Sequence, residues 1–186
     1  MKKLDILILI VFTLSTFLIS ETTHDNKKFS IELGAGVRGI ASERFSSVYS
    51  GTSICYSFDI AFKIMKSGEI FLHSDYLSIE GETSYTKEKT TFKMTPAELG
   101  FRLLLGKKSF VPYIGLGGGF YSYEDVHPGL TSLSESKMGF FGEGGLKFFV
   151  SQSLLLDLKV KYIMLKSEKD VDLGGLTYIG GIGFRF

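Results

Sequence analysis

Three consecutive residues, His73, Ser74 and Asp75, carry the side-chain types of a hydrolase site. A serine nucleophile needs a histidine within hydrogen-bond reach to accept its proton. Neighbouring side chains in a strand point to opposite faces, so His73 and Ser74 cannot meet there. The other histidines, His24 and His127, add no spacing typical of a metal site. We therefore predict no catalytic residue and no metal, and we interpret the chain as a non-enzyme.

A run of glycines follows Ile114 and could suggest a phosphate-binding loop. Phe120 stands where the GxGxxG pattern needs its last glycine, and no helical pattern follows, so we predict no nucleotide and no other cofactor. The 21 Lys and Arg residues balance 20 Asp and Glu, which gives no reason to expect a nucleic-acid partner. Cys55 is the only cysteine, which excludes an internal disulfide and a CxxC motif.

The N-terminus has the pattern of a secretory signal. Lys2 and Lys3 precede an apolar run from residue 6 to residue 19, which has the length of a signal-peptide core and is short for a membrane span. Cleavage after Ser20 is plausible, although Leu18 is larger than the small residue preferred there. We divide the chain into a signal peptide at 1–20, a short N-terminal periplasmic segment at 21–28 and a barrel domain at 29–186. A retained membrane anchor is the alternative.

Residues 29–186 show the two-residue alternation of β-strands in eight segments and no helical period. The second segment, residues 54–64, is the clearest: its even positions are all aliphatic or aromatic, and its odd positions include Asp59 and Lys63. Each segment has roughly 10 to 14 residues, enough to cross a membrane at a tilt. Bacterial barrels have an even strand count. The pattern predicts an all-β fold, an eight-stranded antiparallel up-and-down transmembrane β-barrel.

The connections between the segments alternate in length. The short ones are residues 65–68, 106–109 and 150–153, and the long ones are residues 41–51, 80–89, 124–137 and 167–174. Short turns belong on the periplasmic side of such a barrel and long loops outside, so both termini are predicted to be periplasmic. We expect the loop from Glu124 to Ser136 to be the longest. A loss of phase at Leu77 and Ile79 suggests a bulge, and Pro96 suggests a second irregularity.

Alternation alone does not say which face points outward, because a soluble eight-stranded lipocalin would line its cavity with the apolar face. Two features favour an apolar exterior. An eight-stranded interior holds little beyond its own side chains, and the polar face here alternates glycines with long charged residues. The apolar face is almost free of charges, as lipid exposure requires. The charges of the polar face balance in sign, which predicts a paired interior network: Glu32, Arg38, Asp59, Lys63, Glu69, Asp75, Glu98, Arg102, Glu143, Lys147, Asp157, Lys159, Lys161 and Arg185.

Two short segments carry a family resemblance. Residues 112–119, Pro-Tyr-Ile-Gly-Leu-Gly-Gly-Gly, resemble the fifth strand of the small outer-membrane barrels of the OmpA membrane domain, OmpX and OmpW type. Residues 181–186, Gly-Ile-Gly-Phe-Arg-Phe, resemble the terminal strand that the barrel-assembly machinery recognises, although Ile179 departs from its preference for a polar residue. The resemblance implies a Gram-negative outer-membrane location, contact with outer-membrane lipid, and periplasmic chaperones and the assembly machinery as partners. The implied assembly signal comprises Gly181, Phe184 and Phe186.

Lipid and core occupy the strands of such a barrel, so its four long loops remain for recognition. We predict an integral outer-membrane protein that is structural or makes surface contacts, such as adhesion to a host or within the envelope, with a surface ligand bound by the loops. The first alternative is a narrow ion channel or a conduit for small hydrophobic solutes, since rearranged interior ion pairs could admit a file of water. The second is a lipid-modifying enzyme. Eight strands exclude a wide pore.

Overall fold

The computed structural model describes residues 27–49, 51–82, 88–106, 109–126, 133–165 and 172–186. The predicted signal peptide and residues 21–26 lie outside these ranges. Within them, no helix is long and apolar enough to cross a membrane. The elements are β1 (Phe29–Gly39), α1 (Glu43–Ser46), β2 (Thr52–Met65), β3 (Gly68–Glu82), β4 (Lys89–Leu104), β5 (Phe110–Val126), β6 (Leu133–Phe149), β7 (Leu154–Met164) and β8 (Gly175–Arg185).

The eight strands form a closed barrel in which each strand pairs antiparallel with the next and β8 pairs with β1. The predicted fold class is confirmed. Closure gives every strand a hydrogen-bonded neighbour on both sides, so the sheet has no open edge along the shared length of its strands. We call the end with the β2–β3, β4–β5 and β6–β7 connections the turn end, and the opposite end the loop end.

The apolar face of each strand points outward, and the polar face lines the lumen. In β5, Leu116 is 70% exposed, whereas Tyr113 and Tyr121 on the other face are almost completely buried. The lumen is filled by its own side chains. At Gly145, for example, there is no room for a larger residue, because a Cβ atom added there would lie 2.5 Å from the Tyr113 hydroxyl oxygen. A soluble lipocalin would show the reverse arrangement, so that alternative is wrong.

The bulge predicted near Leu77 and Ile79 does not occur. The β3–β4 register is the same on both sides, with His73 opposite Glu98 and Leu77 opposite Met94. Leu77 and Ile79 keep the inward phase and are buried, because at the loop end the lumen is apolar. The irregularity predicted at Pro96 does occur, as an interruption and not a register change, because the β3–β4 ladder has no partners between residues 74–76 and 95–97. The one recorded register shift falls between Lys63 and Met65, at the end of β2.

The predicted loop from Glu124 to Ser136 is mostly strand, and the expectation that it is the longest is wrong. The β5–β6 ladder continues to Glu124 opposite Ser134 and Asp125 opposite Leu133. The sequence there is polar on both faces, so its alternation could not be seen. The longest connection instead runs from Gly39 to Thr52 and contains α1.

Candidate functional site

All fourteen charged residues predicted to line the lumen occupy inward positions of their strands. Thirteen are buried, and Lys63, opposite Glu69 near the turn end, is half-buried. Eleven of them, together with His73, form one connected set, in which each residue makes an ion pair with at least one other member. We call this set the lumen network: Glu32, Asp59, Glu69, His73, Asp75, Glu98, Arg102, Glu143, Lys147, Asp157, Lys159 and Lys161.

Arg102 lies at the centre of the lumen network. Its Nη2 donates to Asp59 Oδ1 at 2.7 Å, its Nη1 lies 3.4 Å from Glu69 Oε1, and its Nε donates to Glu143. The guanidinium also covers the ring of Phe71, with 3.7 Å between Cζ and the ring centroid. A planar guanidinium with five donors suits three carboxylates and an aromatic face, which a lysine ammonium does not. Arg102 therefore joins β4 to three other strands.

Two further lysines neutralise the carboxylates around Arg102. Lys147 Nζ donates to Glu69 Oε1 at 2.6 Å and to Glu32 Oε1 at 3.0 Å. Lys159 Nζ donates to Asp59. Buried charges of this kind cost several kcal/mol each to desolvate unless they are paired and hydrogen-bonded. The pairing explains how so many charges fit into a packed interior.

His73 lies between two carboxylates. Its Nδ1 is 2.7 Å from Asp59 Oδ2, and its Nε2 is 2.7 Å from Asp75 Oδ1. An ionised carboxylate only accepts hydrogen bonds, so an imidazole that binds one through each nitrogen must carry hydrogen on both. Ser74 points outward, and its hydroxyl donates to the Pro96 carbonyl at 2.7 Å. His73 is thus bound between two acidic partners in the lumen, on the opposite face of β3 from Ser74, and is not placed to act as the base of a Ser74 nucleophile.

Lys161 completes the loop-end half of the lumen network. Its Nζ donates to Asp75 Oδ2 at 2.7 Å and to Glu98 Oε2 at 2.9 Å, and the Tyr121 hydroxyl donates to Glu98 Oε1 at 2.7 Å. Ligand atoms of His73, Asp75 and Glu98 all lie within 4.8 Å of one another, a grouping that sequence spacing did not reveal. The Lys161 ammonium already bonds two of these three groups, so a metal ion would have to displace it.

Two predicted lumen residues make other contacts. Arg38 is fully buried near the loop end, where its Nη2 donates to the Leu173 carbonyl at 3.2 Å. Arg185, near the turn end, lies over the ring of Phe149 at 4.5 Å and donates to the Lys27 carbonyl at 3.4 Å. These two guanidiniums lie near opposite ends of the barrel, where the lumen becomes apolar.

Apolar layers close the lumen network at both ends. At the turn end, Val111, Phe149 and Leu155 form a small buried cluster. A larger layer, the loop-end cluster, lies on the other side of the network. It comprises Ile40, Phe45, Tyr49, Leu77, Ile79, Phe92, Met94, Ile163, Leu165 and Leu173. The described residues therefore fill the lumen with a polar middle between two apolar layers.

The connection between β1 and β2 folds into the loop end of the lumen. Phe45 of α1 stacks on Tyr49 at 4.8 Å and meets Phe92 edge-on at 4.9 Å. The Tyr49 hydroxyl lies 2.9 Å from Thr90 Oγ1 and donates to Asp125. Burial, and then the hydrogen bond with Asp125, raise the pKa of Tyr49. This contact was not predicted from the sequence, and the four-residue spacing between Phe45 and Tyr49 is the signal that could have found it.

Strands β3 to β6 extend beyond the apolar exterior at the loop end. Except for Val126 at the end of β5, their outward side chains there are polar, and all of these polar side chains are exposed except Thr91 and Glu124, which are half-buried. We call this surface the polar wall: Ser78, Glu80, Glu82, Lys89, Thr91, Lys93, Thr95, Ser122, Glu124, Ser134 and Ser136. Its inner face packs against the loop-end cluster through Phe92 and Tyr123, whose rings stack at 6.0 Å. These polar side chains thus stand on a paired sheet that is packed from behind, on one side of the barrel.

The residues of the predicted assembly signal lie at the turn end of the last strand. Gly181 and Phe184 are in β8, and Phe186 follows it. Both phenylalanines are exposed on the outer face, and the Phe186 ring lies 6.1 Å from that of Phe29 on β1. They belong to the apolar exterior next to the junction between the first and last strands.

A closed antiparallel barrel with an apolar exterior and an ionised, packed lumen is the architecture of an outer-membrane β-barrel protein. The chain matches the family described as outer membrane protein beta-barrel domain over residues 9–186, and it belongs to this family. The resemblance read from the two sequence segments is confirmed, and the family supports an outer-membrane location. No curated protein matches the chain significantly.

Three solved structures illustrate the likeness. The outer membrane protein OprG from Pseudomonas aeruginosa is 15% identical, with a TM-score of 0.71 over 86% of this chain and 96% of that chain. Neisserial surface protein A is 12% identical, with a TM-score of 0.67 over 85% and 97%. Ail, the attachment invasion locus protein of Yersinia pestis, was crystallised with the heparin analogue sucrose octasulfate. It is 20% identical, with a TM-score of 0.61 over 86% and 99%. At these identities the likeness concerns the fold alone.

Proposed function

We propose that this protein makes surface contacts for the outer membrane through the loop end of its barrel. The observation that carries the proposal is the filled lumen. The lumen network and the two apolar layers occupy the interior, and lipid covers the apolar exterior. The surface that remains available to a binding partner is therefore the polar wall and the loops beside it, where recognition is to be expected.

The proposal includes an orientation, with the loop end outside the cell and both termini in the periplasm. The short connections at the turn end, beside the first and last described residues, support it. Chaperones would deliver the unfolded chain, and the barrel-assembly machinery would recognise Gly181, Phe184 and Phe186 on the last strand. Two structural neighbours are named for attachment and for the cell surface, which is consistent with the same role here.

Adhesion and conductance measured on the same variants test the proposal. The full-length protein is produced in non-adherent Gram-negative cells, and a variant has residues 127–132 replaced by a two-residue Asn-Gly turn. We expect the variant to insert normally but to reduce attachment of the cells to an epithelial layer. A control variant, Lys66→Gln, changes the turn end and should attach as the parent does. The purified parent should give no stepwise current in planar bilayers.

Two results would count against the proposal. Attachment of the parent no greater than that of cells without it would remove the adhesion role. Unchanged attachment in the loop variant, together with single-channel currents from the parent, would instead favour the ion channel. Such currents would require an opening through the lumen network and both apolar layers.

A further inference from the structure

The outer face of the polar wall continues directly from the lipid-facing surface of the same strands. In β5, exposed Phe120 is followed on that face by Ser122 and Glu124. On β2 and β7 the outward positions stay apolar to Ile54 and Met164, near the loop end of each strand. Apart from Thr52 at the start of β2, the polar outward positions at the loop end of the described strands therefore lie on β3 to β6.

The height of the polar wall above the apolar exterior places it among lipid headgroups. A strand rises about 3.3 Å per residue, so four residues at a tilt of about 40° gain roughly 10 Å. The headgroup layer on each side of a bilayer is about 5 to 8 Å thick. The lower part of the polar wall, at Ser78, Thr95 and Ser122, thus faces headgroups of neighbouring lipids.

The chemistry of this face fits a neutral sugar better than a phosphate. Six hydroxyl side chains accompany three carboxylates and two lysines. One of the lysines, Lys93, lies opposite Glu124 in the β4–β5 register. Recognition of phosphate or sulfate depends on an excess of Lys and Arg, which is absent here. Hydroxyls and carboxylates instead offer the mixture of donors and acceptors that the hydroxyl groups of a saccharide require.

Hydrogen bonds between strands order part of this face, which lowers the cost of fixing it on binding. The Ser122 and Ser136 hydroxyls are hydrogen-bonded across β5 and β6 at 3.4 Å. Behind them, the Tyr123 hydroxyl donates to Glu135. We propose that the outer face of the polar wall binds the neutral saccharide headgroups of glycolipids in the same membrane.

The turn end differs and supplies an internal comparison. Lys28 and Lys66 are exposed there, and the sequence of the three turns, residues 65–68, 105–109 and 150–153, contains no Asp or Glu. That end should favour anionic phosphate headgroups and should show no preference for a neutral sugar.

Tryptophan fluorescence can test the proposal, because the chain contains no tryptophan. Phe120→Trp places one reporter at the base of the polar wall, and Phe110→Trp places one on the outer face at the turn end. Each protein is reconstituted in vesicles of dibrominated phosphatidylcholine, which quenches tryptophan. Unlabelled digalactosyl diacylglycerol or phosphatidylglycerol is then added in increasing proportion. Preferential binding of the unlabelled lipid restores fluorescence beyond what random mixing gives.

We expect digalactosyl diacylglycerol to be preferred at the Phe120→Trp reporter by about twofold or more, and not at the Phe110→Trp reporter. Adding Thr95→Ala, Ser122→Ala and Ser136→Ala should abolish the preference while heat-modifiable gel mobility stays unchanged. Equal recovery of fluorescence at the two reporters on adding digalactosyl diacylglycerol, or a preference for phosphatidylglycerol at the Phe120→Trp reporter, would overturn the proposal. The assay involves no adhesion partner, so its failure and that of the proposed function are separate results.

Discussion

The guanidinium of Arg102 lies over the ring of Phe71, with 3.7 Å between Cζ and the ring centroid, inside the barrel. Asp59, Glu69 and Glu143 surround the edge of the same guanidinium. The ring covers one flat face of the guanidinium, which has no hydrogen-bond donors, and the carboxylates accept hydrogen bonds from the N–H groups at its edge. Arg102 thereby has both apolar and ionic partners, and its loss should be felt by four strands.

Replacing Arg102 by methionine should destabilise the barrel strongly. Three buried carboxylates would lose their shared cation, and breaking a buried pair costs about 3 to 5 kcal/mol. The measurement is the urea midpoint of unfolding in lipid vesicles, followed by circular dichroism. Lys93→Met, on the exposed polar wall, is the matched control and should shift the midpoint little. Equal midpoints for the two variants would contradict the assignment of Arg102 as the centre of the lumen network.

Replacing Glu143 by glutamine should also destabilise the barrel, by roughly 2 kcal/mol, since a hydrogen bond to a charged group is weakened. Glu143 is buried and accepts a hydrogen bond from Arg102 Nε. Glu88→Gln changes an exposed position before β4 and should have a smaller effect. The same unfolding assay compares them, and equal unfolding midpoints for the two variants would refute the packed environment of Glu143.

Both ring nitrogens of His73 should carry hydrogen at neutral pH, because each faces a carboxylate oxygen at 2.7 Å. Nitrogen-15 labelling of histidine should give two N–H signals from one imidazole that exchange slowly with water. Asp75→Asn should perturb the Nε2 signal more than the Nδ1 signal. A single N–H signal from His73 in the parent protein would show that it does not bridge two ionised carboxylates.

Tyr49→Phe should release the connection between β1 and β2 while leaving the barrel closed, because it removes the hydrogen bonds to Thr90 and Asp125. Folding raises the pKa of Tyr49 above its ordinary value of 10.0. Its contribution to stability is therefore present below pH 10 and is lost as the pH rises through the raised value.

Hydrogen exchange of residues 40–49, measured on either side of pH 10, tests this. The parent should lose protection above pH 10, and Tyr49→Phe should show low protection throughout. Tyr178→Phe, on the exposed outer face, is the control. Protection in Tyr49→Phe equal to that of the parent would mean that the apolar contacts of Phe45 alone hold the connection.

Deleting Phe186 should reduce the amount of folded barrel inserted in cells. The Phe186 ring is exposed on the outer face beside β1, so the deletion removes no buried side chain, although it removes the backbone hydrogen bonds of Phe186 with Lys28 and Phe29. A defect in cells with normal refolding into vesicles would therefore indicate recognition during assembly. Phe110→Ala, which removes an exposed ring elsewhere at the turn end, is the control. Normal insertion of the deletion variant would contradict the assembly role.

The two-residue alternation was enough to predict the strand count, the closed topology and the inward phase of the charged residues, because one apolar face repeats in all eight segments. It failed where both faces have the same character. Glu124 and Ser134 pair in a stretch that is polar on both faces, so the sequence there resembled a loop. Leu77 faces the apolar end of the lumen. In the sequence, an apolar residue at this inward position therefore looked like a break in the alternation.

The partners within the lumen could not be predicted, because they depend on the stagger between neighbouring strands. Lys161 on β7 bonds Asp75 on β3 and Glu98 on β4 across the barrel, a contact that no spacing along the chain encodes. The signs of the charges alone do not say which of these residues form ion pairs with one another.

The junction between β1 and β8 determines the order in which the protein can form. Its ladder joins Ser30 to Arg185 and Gly34 to Gly181, residues from opposite ends of the domain. Such distant pairs carry a large loop-closure entropy and form slowly. Until β8 is available, β1 is paired only with β2 and β7 only with β6, and the ions that these two strands contribute face an unclosed lumen. The ring can therefore close around these ions only after the last strand has been synthesised.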